Sequence, residues 1–303
     1  FYNNANDPDK KTITFRNLTF RGTKTSTDYN KGGVPIFLDY YKQIVIENCK
    51  FENLRFMAMD CHYNAQFTVE NCVFENISVD AIRARDTSNI LVRGNYIKGT
   101  GDDAIALHVN DTTIAAFAPV REAIIVTDNI LEDTYSIKVL GGREVIINNN
   151  ILRRPKMTGI QVSSGTASFP EGHVPIFSVT IHNNQILDLT SVIGSEPVYG
   201  ILVSQIDEPV RGGTLTDGVA PTRANDSNVF VYPWDWRDVY VKDTNNPVSP
   251  LMDVSIQGNI ISRTLPAVSA YSDWGYGEPV GPQGAPVDPP ITDDLLRPFF
   301  GIS

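Results

Sequence analysis

Residues Ile77–His108 read ISVDAIRARDTSNILVRGNYIKGTGDDAIALH, and this stretch decides the fold because it carries one pattern twice. VDAIRA around Ile82 returns as DDAIAL around Ile105, 23 residues later, each copy with a carboxylate just ahead of the apolar pair. A fixed period of about 20 to 50 residues marks a stacked repeat architecture.

Outward from that stretch the period extends in both directions. One column has the form apolar-x-apolar-x followed by a turn residue: ITFRN from Ile13, IVIEN from Ile44, FTVEN from Phe67, ILVRG from Ile90, IIVTD from Ile124, VIINN from Val145, VTIHN from Val179 and VSIQG from Val254. Each is a short alternating strand with a turn at its end. A second column holds Ile36/Leu38, Met59/Cys61, Ile82/Ala84, Ile105/Leu107, Ile137/Val139, Ile160/Val162 and Ile201/Val203, stepping by 23 from 36 through 59 and 82 to 105. Two strands per repeat, each returning at the same period, cannot form a hairpin meander, because every strand must lie beside its own copies. The pattern predicts an all-β chain coiled as a single-stranded parallel β-helix, a solenoid of about 23-residue coils.

The columns also forecast the interior. Five residues after each first-column start stand Leu18, Cys49, Cys72, Asn95, Asn129, Asn150, Asn184 and Asn259. Asparagines in register can stack their amides along a fibre-like axis, and cysteine is a small, readily buried residue. Cys49 and Cys72 are therefore expected as interior stackers rather than reactive thiols. Small residues precede the second column, at Ala58, Ala81, Ala104, Ser136, Gly159 and Gly200, and predict a shallow trough along the outside. The longer steps from Ile105 to Ile137 and from Ile160 to Ile201 place loops around 110–123 and 164–176 or 187–197. Residues 1–265 form the expected solenoid domain, with a loop insertion around 204–250, and 266–303 are a Pro/Gly-rich tail, since both residues oppose regular structure.

Composition narrows the partners. With 303 residues, 42% of them hydrophobic, the chain suffices for one large domain with a continuous core or for two small ones. A formal net charge of −10 argues against nucleic acid, whose phosphates call for clustered Lys and Arg. No apolar run nears the roughly 18 residues of a membrane span, and the three cysteines form neither a CxxC pair nor a His cluster. The chain begins without Met, which suggests a processed or excised piece of something longer. Sequons stand at Asn17, Asn76, Asn110 and Asn225, too short a pattern to decide the source.

The candidate chemistry lies ahead of the second column, at Asp80 on one coil and at Asp102 and Asp103 on the next. Neighbouring parallel strands sit roughly 4.8 Å apart, so Asp80 and Asp103 should stack. Like charges that close raise one pKa, letting one carboxyl act as an acid while another stays ionised, the division of labour in glycoside hydrolysis. The competing reading is that these aspartates cap turns by accepting backbone N–H bonds. Strand parity sends Asp60, His62, Arg83, Arg85, His108 and Lys138 outward on the same face. That basic strip fits an anionic polysaccharide, Arg offering bidentate contacts to carboxylates; alternatively it is a solvated face offsetting the aspartates. His62 and His108, in equivalent positions, are further proton-donor candidates. Tyr232, Trp234 and Trp236 in YPWDW offer aromatic faces to sugar rings or anchor their own insertion.

At VDAIRA and GTGDDAIAL the chain resembles the polygalacturonase family of right-handed parallel β-helix enzymes, whose motifs read roughly NTDGIDI and GDDCIAI one coil apart. The resemblance implies a right-handed helix and inverting hydrolysis, with the family's first catalytic aspartate falling on Asp80 and its pair on Asp102 and Asp103. The family's GHG histidine aligns with Tyr135 of DTYSIKV, and TGIQV around Ile160 stands where the family carries an Arg-x-Lys pair, for which Lys138 is the partial substitute. The solenoid is similar, too, to phage tailspike depolymerases, trimers that cleave surface polysaccharide, and to β-helix pectate lyases, in which an aspartate cluster binds calcium and an Arg abstracts the proton. These resemblances imply an extracellular or virion-surface hydrolase. Asp80, Asp102 and Asp103 are its catalytic residues, and His62, Arg83, Arg85, His108, Tyr135 and Lys138 bind substrate. No cofactor is expected except calcium under the lyase alternative, and no partner except the polysaccharide, with a homotrimer if the chain is a tailspike. The remaining alternative is a non-catalytic glycan-binding or structural spike.

Overall fold

The turn residue that closes each first-column strand explains how the chain coils. Asn17, Asn48, Asn71, Gly94, Asp128, Asn149, Asn183 and Gly258 all have φ between 52° and 65°. Asn, Asp and Gly are the residues that enter this left-handed region at least cost, and each visit bends the chain from one face of the coil to the next. The computed structural model describes residues 11–23, 33–109, 123–163, 176–190, 192–193, 196–197, 199–204, 229–231, 239–242 and 252–264.

Within them the strands form three parallel sheets, each built from one strand per coil. The first column is one sheet, running from Thr12–Arg16 through Ile90–Arg93 to Met252–Gln257. The second column is another, from Ile36–Asp39 through Met59–His62, Ile82–Arg85, Ile105–His108, Ile137–Leu140 and Ile160–Ser163 to Ile201–Ser204. Register is kept from coil to coil: Met59 pairs with Ile82, Ile82 with Ile105, and Ile105 with Ile137.

A sheet that the two-column pattern did not foresee lies between them, formed by Thr19–Arg21, Lys50–Leu54, Val73–Ile77, Tyr96–Thr100 and their successors up to Ile260–Thr264. Its strands are short and bury at most two apolar side chains each, such as Phe51 with Leu54, or Leu131 alone, too few for alternation to announce them. Phe20, Phe51 and Phe74 stack inside it with ring centroids 4.7 and 4.8 Å apart, the spacing of the strands themselves.

The predicted amide ladder is present, at the corner between these two sheets. The Oδ1 of Asn129 accepts from the backbone N–H and from the Nδ2 of Asn95, at 3.0 and 2.9 Å, and Asn150, Asn184 and Asn259 continue the same pair of bonds upward. The second amide hydrogen of Asn129 goes to the carbonyl of Val92. Cys72 and Cys49 take the lower rungs, the Cys72 sulfur accepting from the Cys49 backbone at 3.4 Å, and both are buried free thiols as expected. Burial pushes the Cys72 thiol up to about 12, which keeps it protonated. Leu18, at the foot of the row, is 44% exposed and belongs to no ladder.

Two other expectations change. Ala58, Ala81 and Ala104 are fully buried members of the core, and a Cβ on Gly159 would sit 2.8 Å from the Gly200 carbonyl and 3.0 Å from Ile186. Ala58, Ala81 and Ala104 therefore face the core rather than an outer surface, and Gly159 stands where the coil turns too tightly for a larger residue. Within the expected insertion, Val239–Lys242 pairs in parallel with Ile201–Ser204, so this stretch adds another strand to the second-column sheet. Of the expected loops, 187–197 includes the end of the strand Gln185–Thr190 and a small antiparallel pair, Val192–Ile193 with Glu196–Pro197. Residues 110–122 and 164–175, the YPWDW aromatics and the 266–303 tail lie outside the described residues. By its internal contacts the chain divides into two units, Phe1–Arg263 and Thr264–Ser303.

Candidate active site

Asp80 and Asp103 occupy equivalent positions on successive coils, just ahead of the strands Ile82–Arg85 and Ile105–His108. The backbone ties them: the N–H of Ala81 donates to the carbonyl of Asp103 at 3.3 Å. Gly101 lays the GTGDD turn onto the coil beneath, its N–H donating to Ile77 at 2.9 Å. A Cβ there would come within 2.0 Å of the Ser78 carbonyl, so only glycine allows the approach. One carboxylate oxygen each from Asp80, Asp102 and Asp103 lies within 4.8 Å of the others. The three predicted aspartates converge.

Their surroundings differ. Asp103 is buried, accepts a 2.5 Å hydrogen bond from Ser136 Oγ and lies 3.7 Å from Lys138 Nζ. Asp102 is the more accessible and caps its neighbour, its Oδ1 accepting from the Asp103 N–H at 3.1 Å. Asp80 is buried, with Arg83 Nη1 at 3.8 Å. Burial, then the charges of Asp103 and Asp102, hold the Asp80 carboxyl well above the usual carboxylate range against the opposing pull of Arg83 and Lys138. The turn-capping reading thus accounts for one oxygen of Asp102 and not for the convergence.

The strip beyond the aspartates is one register row per strand position. Phe37, Asp60, Arg83, Ala106, Lys138 and Gln161 succeed one another, and beside them run Asp39, His62, Arg85, His108, Leu140 and Ser163. His62 lies between two carboxylates, Nε2 at 2.6 Å from Asp60 Oδ1 and Nδ1 at 3.3 Å from Asp39 Oδ1. Arg83 Nε and Arg85 Nη2 each stand 3.7 Å from Asp60, and Arg83 Nη1 is 3.5 Å from the Met57 sulfur. Burial alone would raise Asp60, but the hydrogen bond from His62 and the charges of His62, Arg83 and Arg85 outweigh it and hold it below the usual range. Asp39 goes the other way, raised by burial before any partner compensates.

His108 does not join a cationic strip. Its burial, reinforced by Lys138, Arg83 and Arg85, pulls its pKa well below the ordinary imidazole value, so it is neutral at neutral pH and no proton donor there. Tyr135 lies beside the GTGDD turn: its N–H donates to Thr100 Oγ1 at 3.3 Å, Thr100 Oγ1 donates to the Asp102 carbonyl at 2.6 Å, and Lys156 Nζ donates to the Thr100 carbonyl at 2.8 Å while lying 5.7 Å over the Tyr135 ring.

Sequence reasoning passed over Asp39, Ser136, Thr100 and Lys156. Asp39 had a signal, since it shares strand parity with His62 and follows Leu38 directly. Ser136 was read only as a small residue. Lys156 had none, because it reaches Thr100 across 56 residues of chain.

A buried row of paired acids and bases on the face of a parallel β-helix defines the class. Residues 2–186 match the family described as the right-handed β-helix region, and the chain belongs to that family; its solenoid is right-handed. Comparison with curated proteins found no match, and comparison with solved structures found none.

Proposed function

We propose that the chain is an extracellular glycoside hydrolase that cleaves an acidic polysaccharide at Asp80, Asp102 and Asp103. The observation that carries this reading is the meeting, within 4.8 Å, of three carboxylates from two coils in unequal settings. Asp80, kept protonated by burial and by its neighbours' charges, is the general acid toward the leaving oxygen. Asp102, the accessible member, activates water, while Asp103 holds negative charge beside Asp80 and is fixed by Ser136 and Lys138. A carboxyl raised by burial and by like charges beside it is suited to act as the acid. The oxygens are closer than the about 6.5–9.5 Å that separates the carboxyl groups of the usual inverting pair, so the anomer first released is itself diagnostic. Arg83, Arg85 and Lys138 supply the positive charge that an acidic chain requires.

The cluster also favours a second reading, a calcium-dependent lyase. Three carboxylate oxygens are hard donors of the kind calcium takes, and Arg83 would serve as the base. Against it, Arg83 and Lys138 already stand 3.8 and 3.7 Å from the same carboxylates and compete with a cation for them.

Reducing-end release from a panel of acidic and neutral polysaccharides, comparing the parent with Asp102→Asn and Asp103→Asn, tests the proposal. Cleavage lost in both variants while the fold survives supports hydrolysis. Unsaturated products that vanish on chelation indicate the lyase. Equal cleavage in all three removes these aspartates from the mechanism, and no cleavage of any polymer leaves a glycan-binding or structural spike, trimeric if a tailspike.

A further inference from the structure

Thr100 stands between two glycines in the GTGDD turn, and the first of them, Gly99, has a φ of 70°. Glycine is the least constrained residue of the backbone, so a turn with glycine on either side of Thr100 is poorly held by its own torsions. Gly101 cannot be exchanged for a stiffer residue, because the turn approaches the Ser78 carbonyl too closely for a Cβ. The segment that presents Asp102 is therefore held from outside itself.

Both oxygens of Thr100 are engaged from later coils. Its hydroxyl accepts from the Tyr135 N–H on the next coil and donates to the Asp102 carbonyl, while its carbonyl accepts from Lys156 Nζ on the coil after that. The coil order follows from the middle sheet, in which Tyr96–Thr100 pairs with Ile130–Glu132 and Ile130–Glu132 with Ile151–Arg153. Lys156 is anchored at its base by its own N–H, which donates to the Thr134 carbonyl at 2.7 Å. Its ammonium lies 5.7 Å from the centre of the Tyr135 ring, within the range of a cation–π contact.

A lysine ordinarily lays its stem on the surface and keeps its head in water. Lys156 does not, and burial lowers its pKa. The carboxylate whose charge opposes that lowering is Asp133, but Arg154 already binds Asp133 through two hydrogen bonds, at 2.7 and 2.9 Å. Among the described residues no carboxylate forms an ion pair with Lys156. Its ammonium is given to a backbone carbonyl two coils away, at the turn that carries Asp102.

We propose that Lys156 is a positioning residue for Asp102: by holding the Thr100 carbonyl it clamps the turn from Gly99 to Gly101 and keeps the accessible carboxylate in place beside Asp80 and Asp103. The inference rests on the reading of Asp102 as the carboxylate that activates water. A misplacement of about 1 Å in a reacting group costs about 10²-fold in rate, which sets the size of the effect.

The test compares the parent with Lys156→Met, which keeps the apolar stem and loses the donor, and with Lys156→Arg, which keeps a donor and a cation for the Tyr135 ring. Steady-state rates are measured on a polysaccharide that the parent cleaves. Amide hydrogen exchange is read at Asp103 and Tyr135, with Asn129 and Asn150 of the ladder as internal controls. In Lys156→Met, kcat should fall by about 10- to 100-fold with KM unchanged, and the Asp103 and Tyr135 amides should exchange faster while the ladder amides keep their rates. Lys156→Arg should recover most of both. Thr100→Val, which removes the hydroxyl from the same turn, should also lower kcat, and the two losses should not multiply in the double variant, since residues of one network are not additive. Thr100→Val carries the test where Lys156→Met fails to fold. An unchanged kcat, or a loss accompanied by faster exchange in the ladder, overturns the proposal. The two readings fail separately: a parent that cleaves no polymer sinks the hydrolase and any catalytic part for Lys156 with it, whereas cleavage with unaltered exchange at Asp103 and Tyr135 in Lys156→Met sinks the clamp alone.

Discussion

Two stacks of polar side chains run along this solenoid, and they obey opposite rules. The asparagine ladder repeats one neutral residue; Asn129, Asn150 and Asn184 each accept two hydrogen bonds at Oδ1 and give both amide hydrogens to oxygen acceptors, at 2.9 to 3.1 Å. The row on the second-column sheet mixes Asp, His, Arg and Lys. Its members are buried or nearly so, yet many meet at 3.7 or 3.8 Å, too far for a good hydrogen bond. A buried network that is fully satisfied stabilises, whereas a partly satisfied one is costly. The ladder closes its hydrogen bonds at ideal distances, whereas the row holds its charges at looser ones.

The sharpest way to break this contrast is Asp80→Asn. It should abolish cleavage, by about 10²- to 10⁴-fold for a general acid, and yet raise stability above the ordinary carboxylate range. The folded protein holds the Asp80 proton more tightly than the unfolded chain does. The parent therefore loses stability as pH rises from the ordinary carboxylate value of 3.8 through the raised folded pKa, and Asn has no proton to lose. Denaturant midpoints against pH for both proteins, beside reducing-end release, check both halves. An Asp80→Asn chain that is less stable at neutral pH would place Asp80 with the ladder.

Next in size is the opposite case, Asn129→Leu. It strips the acceptor from the backbone and side-chain N–H groups of Asn95, and a buried group left unsatisfied costs about 1–3 kcal/mol. Urea denaturation should show a loss of about 3 kcal/mol, with the specific activity of the folded fraction unchanged. A smaller effect belongs to Arg83→Gln. The guanidinium lowers Asp80, so its removal raises that carboxyl further, and the alkaline fall of the pH–rate profile should move to higher pH. Smallest of all is Arg154→Gln. Arg154 binds Asp133 through two hydrogen bonds at 2.7 and 2.9 Å, but both side chains are well exposed, and exposed pairs contribute little; the thermal midpoint should not move.

The sequence by itself determined the coil. Alternation closed by Asn, Asp or Gly, stepping by 23 from Ile44 through Phe67 to Ile90, leaves a parallel solenoid as the arrangement in which identical strands lie beside their copies, and the asparagine and cysteine row followed from the same register. It also placed Asp80 opposite Asp103, because both sit at one position of the repeat. Only the tertiary structure decided which residues face inward. Ala58 and its equivalents fill a tight interior corner, and the middle sheet stayed illegible because strands with one buried side chain leave no periodic trace. Protonation, too, was beyond the sequence. His62 and His108 are equivalent in the repeat, yet His108 is neutral through burial beside Lys138 and two arginines, while His62 is flanked by Asp39 and Asp60. Period assigns a residue its place on the coil, but charge depends on neighbours one coil away and on the water they exclude.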